Sequence, residues 1–433
     1  MPGSASLDVR SVLMRLYEAA VAAAHPAHCV PPHLPAVPEG GRIIVIGAGK
    51  AAAAMAQATE RHYMQKGQAD RIAGFVTTRH GYGLPTEVIE VIEAGHPVPD
   101  AHSVSSAQRA IEAAKSAGPN DLVLCLMSGG ASALWSAPVD GVTFEMKQAL
   151  TKQLLRSGAP IGEMNCVRKH LSRIKGGRLA AAAYPARLVT LAISDVPHDD
   201  PDAIGSGPTV GDKTNLAQAR DVIARWGITP APEIAAALDD ARNETPKPGD
   251  AALANSSYTM VAAPRQSMEA AARIAREMGY RVDLLGDSLE GEARDVARFH
   301  AAMALDHKTR GEKVAMMSGG EFTVTVRGTG AGGPNQEYAM GLALALDGAA
   351  GIAGLAGDTD GIDGGGGNAD DPAGAFVLAD TLARARAAGL DAAAMLANND
   401  STGFFRAVDG LIKCGPTQTN VNDFRVVLVD PAL

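Results

Sequence analysis

Several stretches of this sequence carry residue types and spacings that could do chemistry. In IVIGAGKAAAA, Gly47, Gly49 and Ala52 meet the loose G-x-G-x-x-G/A pattern of a strand–turn–helix nucleotide loop. Lys50 sits at the turn, where a cation could meet a bound anion, although the leading glycine of a Walker loop is missing. In MNCVRKHLSRIKGGRLA, cations crowd together, and a helix through the stretch would put Arg168 and Lys175 on one face, with Lys169 beside them. In LVTLAISDVPHDDPD, an apolar run ends at Ser194-Asp195, the usual placement for a metal ligand or base in phosphoryl transfer. In LAGDTDGIDGGGGNADD, the acids nearest the apolar run, Asp358 and Asp360, could hold Mg²⁺ or a substrate hydroxyl. Two apolar runs end in the same turn, Ser128-Gly129-Gly130 and Ser318-Gly319-Gly320. The second continues through GTGAGGPNQE, where Gly332 and Gly333 lead into a helix that starts near Pro334, next to Asn335. Such a glycine loop ahead of a helix start favours a phosphate or carboxylate.

Each stretch has a plainer reading. Glycines permit tight packing, a run of cations is commonly a solvated helix face, and Asp, Pro and Gly all favour turns.

The elements that must position these residues read as alternating β and α. Nearly continuous apolar strands recur at RIIVIGAG, IAGFVTT, EVIEVIEAG, DLVLCLM and RLVTLAISDV, with helical patterns between them, which implies a Rossmann-like, doubly wound parallel sheet. The pattern weakens from about Thr214 to Asn255, the expected inter-domain region. A second α/β series follows, beginning with SYTMVAA and including strands at Val314 to Met317 and Phe322 to Val326. The expectation is an N-terminal Rossmann-like domain over 1–240 and a smaller α/β domain with a mixed sheet over 241–433, with the ligand in a cleft between them.

At 433 residues the chain is too long for one ordinary core. A net charge of -9 argues against nucleic acid as the main partner. The 4 cysteines show no C-x-x-C spacing, which suits a reduced, cytoplasmic protein. The N-terminal SLDVRSVLMRLYEAAVAAA carries Asp8, Arg10, Arg15 and Glu18, so it reads as an amphipathic helix, not a membrane span.

Taken together and in order, GAGKAA, LMSGGASALW, MNCVRKHLSRIKGGRLA, SDVPHDDPDAIGSGPT, SGGEFTVTVRGTGAGGPNQE, AGDTDGIDG, STGFF and GPTQTNVND resemble the type II glycerate kinases, the family that contains the MOFRL domain. That resemblance implies ATP-dependent phosphorylation of D-glycerate to 2-phosphoglycerate, with Mg²⁺. It implies Lys50, Asp195 and Arg168 as catalytic residues. Lys169, Ser128, Gly129, Gly130, Arg327 and Asn335 would hold substrate, and Gly47, Gly49, Ser318, Gly319, Gly320, Gly332 and Gly333 would line the nucleotide. Asp195, Asp358 and Asp360 would be the metal ligands. Many members have arginine where this chain has Pro334, so another cation, Arg327 for instance, would have to substitute. Some relatives are labelled hydroxypyruvate reductases, which defines a second reading. The strand ending in Thr77-Thr78-Arg79 offers no acid for a dinucleotide ribose and counts against it. A third reading is a non-catalytic sugar-phosphate-binding protein. A homodimer is left open.

Overall fold

In a computed structural model of the chain, which describes residues 8–365 and 370–433, two compact units form. One comprises Pro26–Val261. The other joins residues 8–25 to Ala262–Leu433.

The first unit is built on six strands, β1 (Ile43–Ala48), β2 (Ile72–Arg79), β3 (Ile89–Ala94), β4 (Leu122–Met127), β5 (Arg187–Ile193) and β6 (Ser256–Ala262), in the order β3-β2-β1-β4-β5-β6. Every residue of β1 and β4 is buried, as expected for strands covered by helices on both faces. Their parallel register places Ala48 beside Thr77 and Met127, so the ends of β1, β2 and β4 stand level. Helices Ala52–Gln65 and Ala101–Lys115 are among those that return the chain between strands, the latter held at its start by a reciprocal Asp100–Ser103 capping box. The sheet order reverses direction between β1 and β4, and ligands of open α/β sheets bind at such a point.

The second unit carries a mixed sheet of β7 (Arg281–Gly286), β8 (Val314–Ser318), β9 (Ile352–Asp358), β10 (Gly374–Val377), β11 (Leu411–Ile412) and β12 (Asp423–Val429), ordered β11-β10-β9-β12-β8-β7. Only β7 and β8 pair in parallel. The N-terminal helix Val9–Ala24 packs here: Leu13, Leu16, Tyr17 and Ala20 share a core with Leu355, Phe424 and Val426.

The structure departs from the sequence expectations at four places. The expected division at 240/241 gives way to a crossing at 261/262, because SYTMVAA is β6 and extends the first sheet beyond β5. Residues Thr214 to Asn255 are no linker. Their helices Leu216–Arg225 and Pro232–Asp239 close a core with Leu150, Leu154 and Val167. Phe322 to Val326 forms no strand: β8 is already flanked by β12 and β7, leaving a single bridge from Thr323 to Glu292. The basic stretch from Met164 is not one helix: it is helical to His170 and again from Arg178, broken where Ser172 bridges to Pro138 and Gly176 and Gly177 turn the chain. The expected run of four glycines falls partly outside the described residues. Among the described residues, no helix is long and apolar enough to cross a membrane.

Candidate active site

The ends of β1, β4 and β5 bring three loops together. Beyond β1 the chain turns at Gly49, whose φ of +142° and close approach to β4 suit only glycine: a Cβ there would lie 2.0 Å from Ser128 Oγ. The Lys50 amide donates to Gly129 O at 2.8 Å, and the Ala51 amide donates to Ser128 Oγ at 3.0 Å. These bonds tie the lysine loop to the Ser128–Gly130 turn. Lys50 precedes Ala51, the cap of helix Ala52–Gln65, so it stands in the turn and not in the first helical turn. Gly47 is inside β1, wedged between Val76 and Leu126, and belongs to the sheet.

Asp195 approaches the same turn from β5. A Cβ on Gly129 would stand 1.7 Å from Asp195 Oδ2, so the carboxylate rests against the loop backbone because residue 129 lacks a side chain. On the neighbouring Gly130, a Cβ would meet the His96 ring at 2.9 Å and Lys50 Cγ at 3.5 Å. Lys50, His96, Ser128, Gly129, Gly130 and Asp195 therefore form one constellation. The loops beyond β5 hold non-glycine residues in the left-handed region at His198, Asp199 and Ser206. Strain of that kind concentrates at functional loops.

The basic stretch splits between two tasks. Lys169 is buried in an ion pair with Asp202 at 2.5 Å and Asp212 at 3.4 Å, so its charge is spent inside the fold. Burial raises the Asp212 pKa, but Lys169 and the Thr214 donors outweigh it and leave the carboxyl below its ordinary value. Arg168 instead donates to Ser132 Oγ at 2.7 Å and Asn165 Oδ1 at 3.2 Å. Lys175 converges on the same serine, donating to Ser132 O at 3.0 Å and Oγ at 2.9 Å.

In the second unit, Ser318 closes β8 and is buried, and the carbonyls of Gly319 and Gly320 each accept from buried Arg425 at 3.1 Å. The helix Pro334–Leu346 was expected to offer its start to a ligand. That position is occupied by Asp363, which accepts from the amides of Asn335 at 2.9 Å and Gln336 at 2.8 Å. Asn335 is fully buried and donates its side-chain amide to Asp363 and Asp423. Gly332 and Gly333 pack against Ser401 and Asp363, where a Cβ would come within 2.2 Å of each. Arg327 is exposed, and its amide donates to Asn399 Oδ1 at 2.7 Å. Asp358 and Asp360 each accept from an amide two residues on, at 2.8 and 2.9 Å, as turn-forming acids do.

Among the described residues, no three His, Cys, Asp or Glu side chains stand close enough to hold a metal unaided. Where Mg²⁺ enters with nucleotide phosphates it takes only one or two carboxylates from the protein. Asp195, half-buried at a strand end, fits such a role. His96, a lone histidine in GHPVP, carries no local pattern, and Asp363 is one of five acids in its stretch, where Asp358 and Asp360 stand nearer the strand.

A parallel sheet in this order, with a lysine turn, a Ser-Gly-Gly turn and an aspartate at its carboxyl edge, defines a Rossmann-like α/β protein with its polar loops gathered at the switch point. Two family models match the chain, the Domain of unknown function (DUF4147) over residues 12–239 and the MOFRL family over 314–423. The chain is 36% identical over 427 residues to a D-glycerate 2-kinase of Thermotoga maritima, covering 98% of this chain and 99% of that one. It is 48% identical over 429 residues to a provisionally named hydroxypyruvate reductase of Agrobacterium vitis, covering 98% and 95%. The crystal structure of a glycerate kinase from Thermotoga maritima superposes with a TM-score of 0.87 at 35% identity, covering 97% of this chain and 99% of that one. The chain belongs to the type II glycerate kinase, or MOFRL-domain, family.

Proposed function

We propose that this protein is an ATP-dependent kinase that phosphorylates the 2-hydroxyl of D-glycerate to give 2-phosphoglycerate. The observation that carries the reading is the meeting of Lys50 and Asp195 across the Ser128–Gly130 turn. In this reading the Asp195 carboxylate accepts the hydroxyl proton as the substrate oxygen forms its bond to the γ-phosphorus. The bond to the bridging oxygen breaks and ADP leaves. Lys50 stabilises negative charge on the transferred group, and the glycine turn lets the backbone approach it closely. Mg²⁺ would neutralise the nucleotide phosphates, with Asp195 as its candidate ligand here and Asp358 and Asp360 as candidates in the second unit. A reduced, cytoplasmic setting suits a chain whose described cysteines form no disulfide.

The name of the Agrobacterium relative favours a second reading, reduction of hydroxypyruvate with a nicotinamide cofactor. Against it, the end of β2 has no acid to hold a ribose. Thr77 accepts from Trp135 Nε1 at 3.3 Å, and Thr78 donates to Lys50 O at 3.3 Å, so both hydroxyls face inward. Two assays separate the readings: ADP release with D-glycerate, and NADH oxidation with hydroxypyruvate. NADH oxidation without ADP release would overturn the kinase reading.

A further inference from the structure

Close along the chain from the Ser128–Gly130 turn, a cavity of about 150 Å³ opens in the first unit. Its walls include Pro97, Ser132, Gln148, Lys147, Arg168 and Lys175, and they include neither Lys50 nor Asp195. Lys147, on the helix Phe144–Ser157, is 7% exposed, and its Nζ has no hydrogen-bond partner among the described residues. Arg168 and Lys175 reach the same cavity and both donate to Ser132 Oγ. Among the described residues, no acid lines it.

A buried ammonium without a partner is costly, and two further cations beside it raise that cost. Burial and the Arg168 charge push the Lys147 pKa down to about 7, so shedding a proton relieves part of the strain on that one residue. It does not account for the other two basic side chains at the cavity, Arg168 and Lys175, which converge on one serine. A single water needs about 10–15 Å³ of such space, so the cavity has room for a small polar group.

We propose that this cavity is an anion site separate from the Lys50 turn, taking a compact oxyanion, the carboxylate or phosphoryl group of a small acid, on Lys147, Arg168 and Lys175. Arg168 and Lys175 share Ser132 Oγ, which fixes their head groups, and Lys147 supplies the open donor. The site does not depend on the kinase reading, because it can be measured without nucleotide or turnover.

The test is isothermal titration calorimetry on the full chain at pH 7 with inorganic phosphate and, separately, D-glycerate. Wild type should bind phosphate, Lys147→Met should weaken that binding by at least about tenfold, and Lys147→Arg should restore most of it. Lys50→Ala should leave phosphate binding at this cavity in place. D-glycerate that competes with phosphate and shows the same dependence on Lys147 identifies a carboxylate seat. Phosphate binding without such competition identifies a phosphoryl seat. Lys147→Gln serves as the neutral variant should Lys147→Met fail to fold. Equal phosphate affinity in wild type and the neutral variants, or no binding of either anion by wild type, would overturn the proposal.

Discussion

Asp195 and Lys50 approach the same Ser128–Gly130 turn, Asp195 resting against Gly129 because that residue has no side chain. If the carboxylate takes the substrate proton, Asp195→Asn should lower kcat by roughly two to four orders of magnitude while the melting temperature holds. Turnover near wild type would return Asp195 to a turn-forming role. Lys50 is anchored through its main chain, by its own amide and by Thr78 on its carbonyl. Lys50→Ala should fold normally and lose at least about a hundredfold in kcat/KM for glycerate. A destabilised variant with intact kinetics would contradict this. Both residues were legible in the sequence because each marks the point where an apolar run stops. Lys147 was not, since a lysine in an amphipathic helix reads as solvated until the tertiary fold buries it.

The same lysine carries a pH dependence. It titrates near 10.4 in an unfolded chain and at about 7 in the fold, and the groups that face it across the cavity are all basic: Arg168, Lys152 at the rim, and Lys175, whose own pKa burial lowers well below its ordinary value. Between those values the unfolded chain binds the extra proton, so this group makes stability rise with pH from about 7 to 10, and its full cost applies below 7. In buffer free of small oxyanions, Lys147→Met should therefore be more stable than wild type at pH 6, by on the order of 2 kcal/mol, with the gap closing towards pH 10. Denaturant melts at the two pH values check this, and a variant less stable than wild type at pH 6 would refute it.

At the scale of elements, the glycine-rich approach to helix Pro334–Leu346 was read from sequence as an open anion site, and the structure fills it from within. Asp363 caps the helix, and Asn335 and Gln336 also give it their side-chain amides, at 3.2 and 3.0 Å. Burial raises the Asp363 pKa, opposed by those four donors. Asp363→Ala would strand buried donors, each worth about 1–3 kcal/mol, and should lower the stability of the second unit by about 3 kcal/mol or more. A melting temperature unchanged within about 2 °C would show that the helix start does not need this carboxylate. The glycine-rich loop marked a helix starting near Pro334, and the helix begins there. The loop could not identify the cap, because Asp363 lies far along the chain and reaches the helix only through the tertiary fold. The segment Phe322 to Val326 failed for a related reason. Its β-branched residues favour a strand, but both edges of β8 were taken by chain distant in sequence.

At the scale of the molecule, the first sheet was readable because its central strands are buried on both faces and so are apolar throughout. The limits of the units were harder to read. The polar stretch after Thr214 hides two short helices that complete the first core, and the first helix of the chain packs with the last strand. Composition registers neither, because both depend on contacts remote in sequence. What the assembled fold supports is a kinase acting on glycerate through the Lys50 and Asp195 constellation. The measurement that tests this most directly is ADP release by the purified protein with D-glycerate, ATP and Mg²⁺, with the product followed by phosphorus NMR. The account predicts ADP released in step with glycerate consumed, and a phosphorus signal split into a doublet by the single proton on C2. A triplet would mean transfer to the terminal hydroxyl, and no ADP release, with NADH oxidised in the presence of hydroxypyruvate, would contradict the account outright.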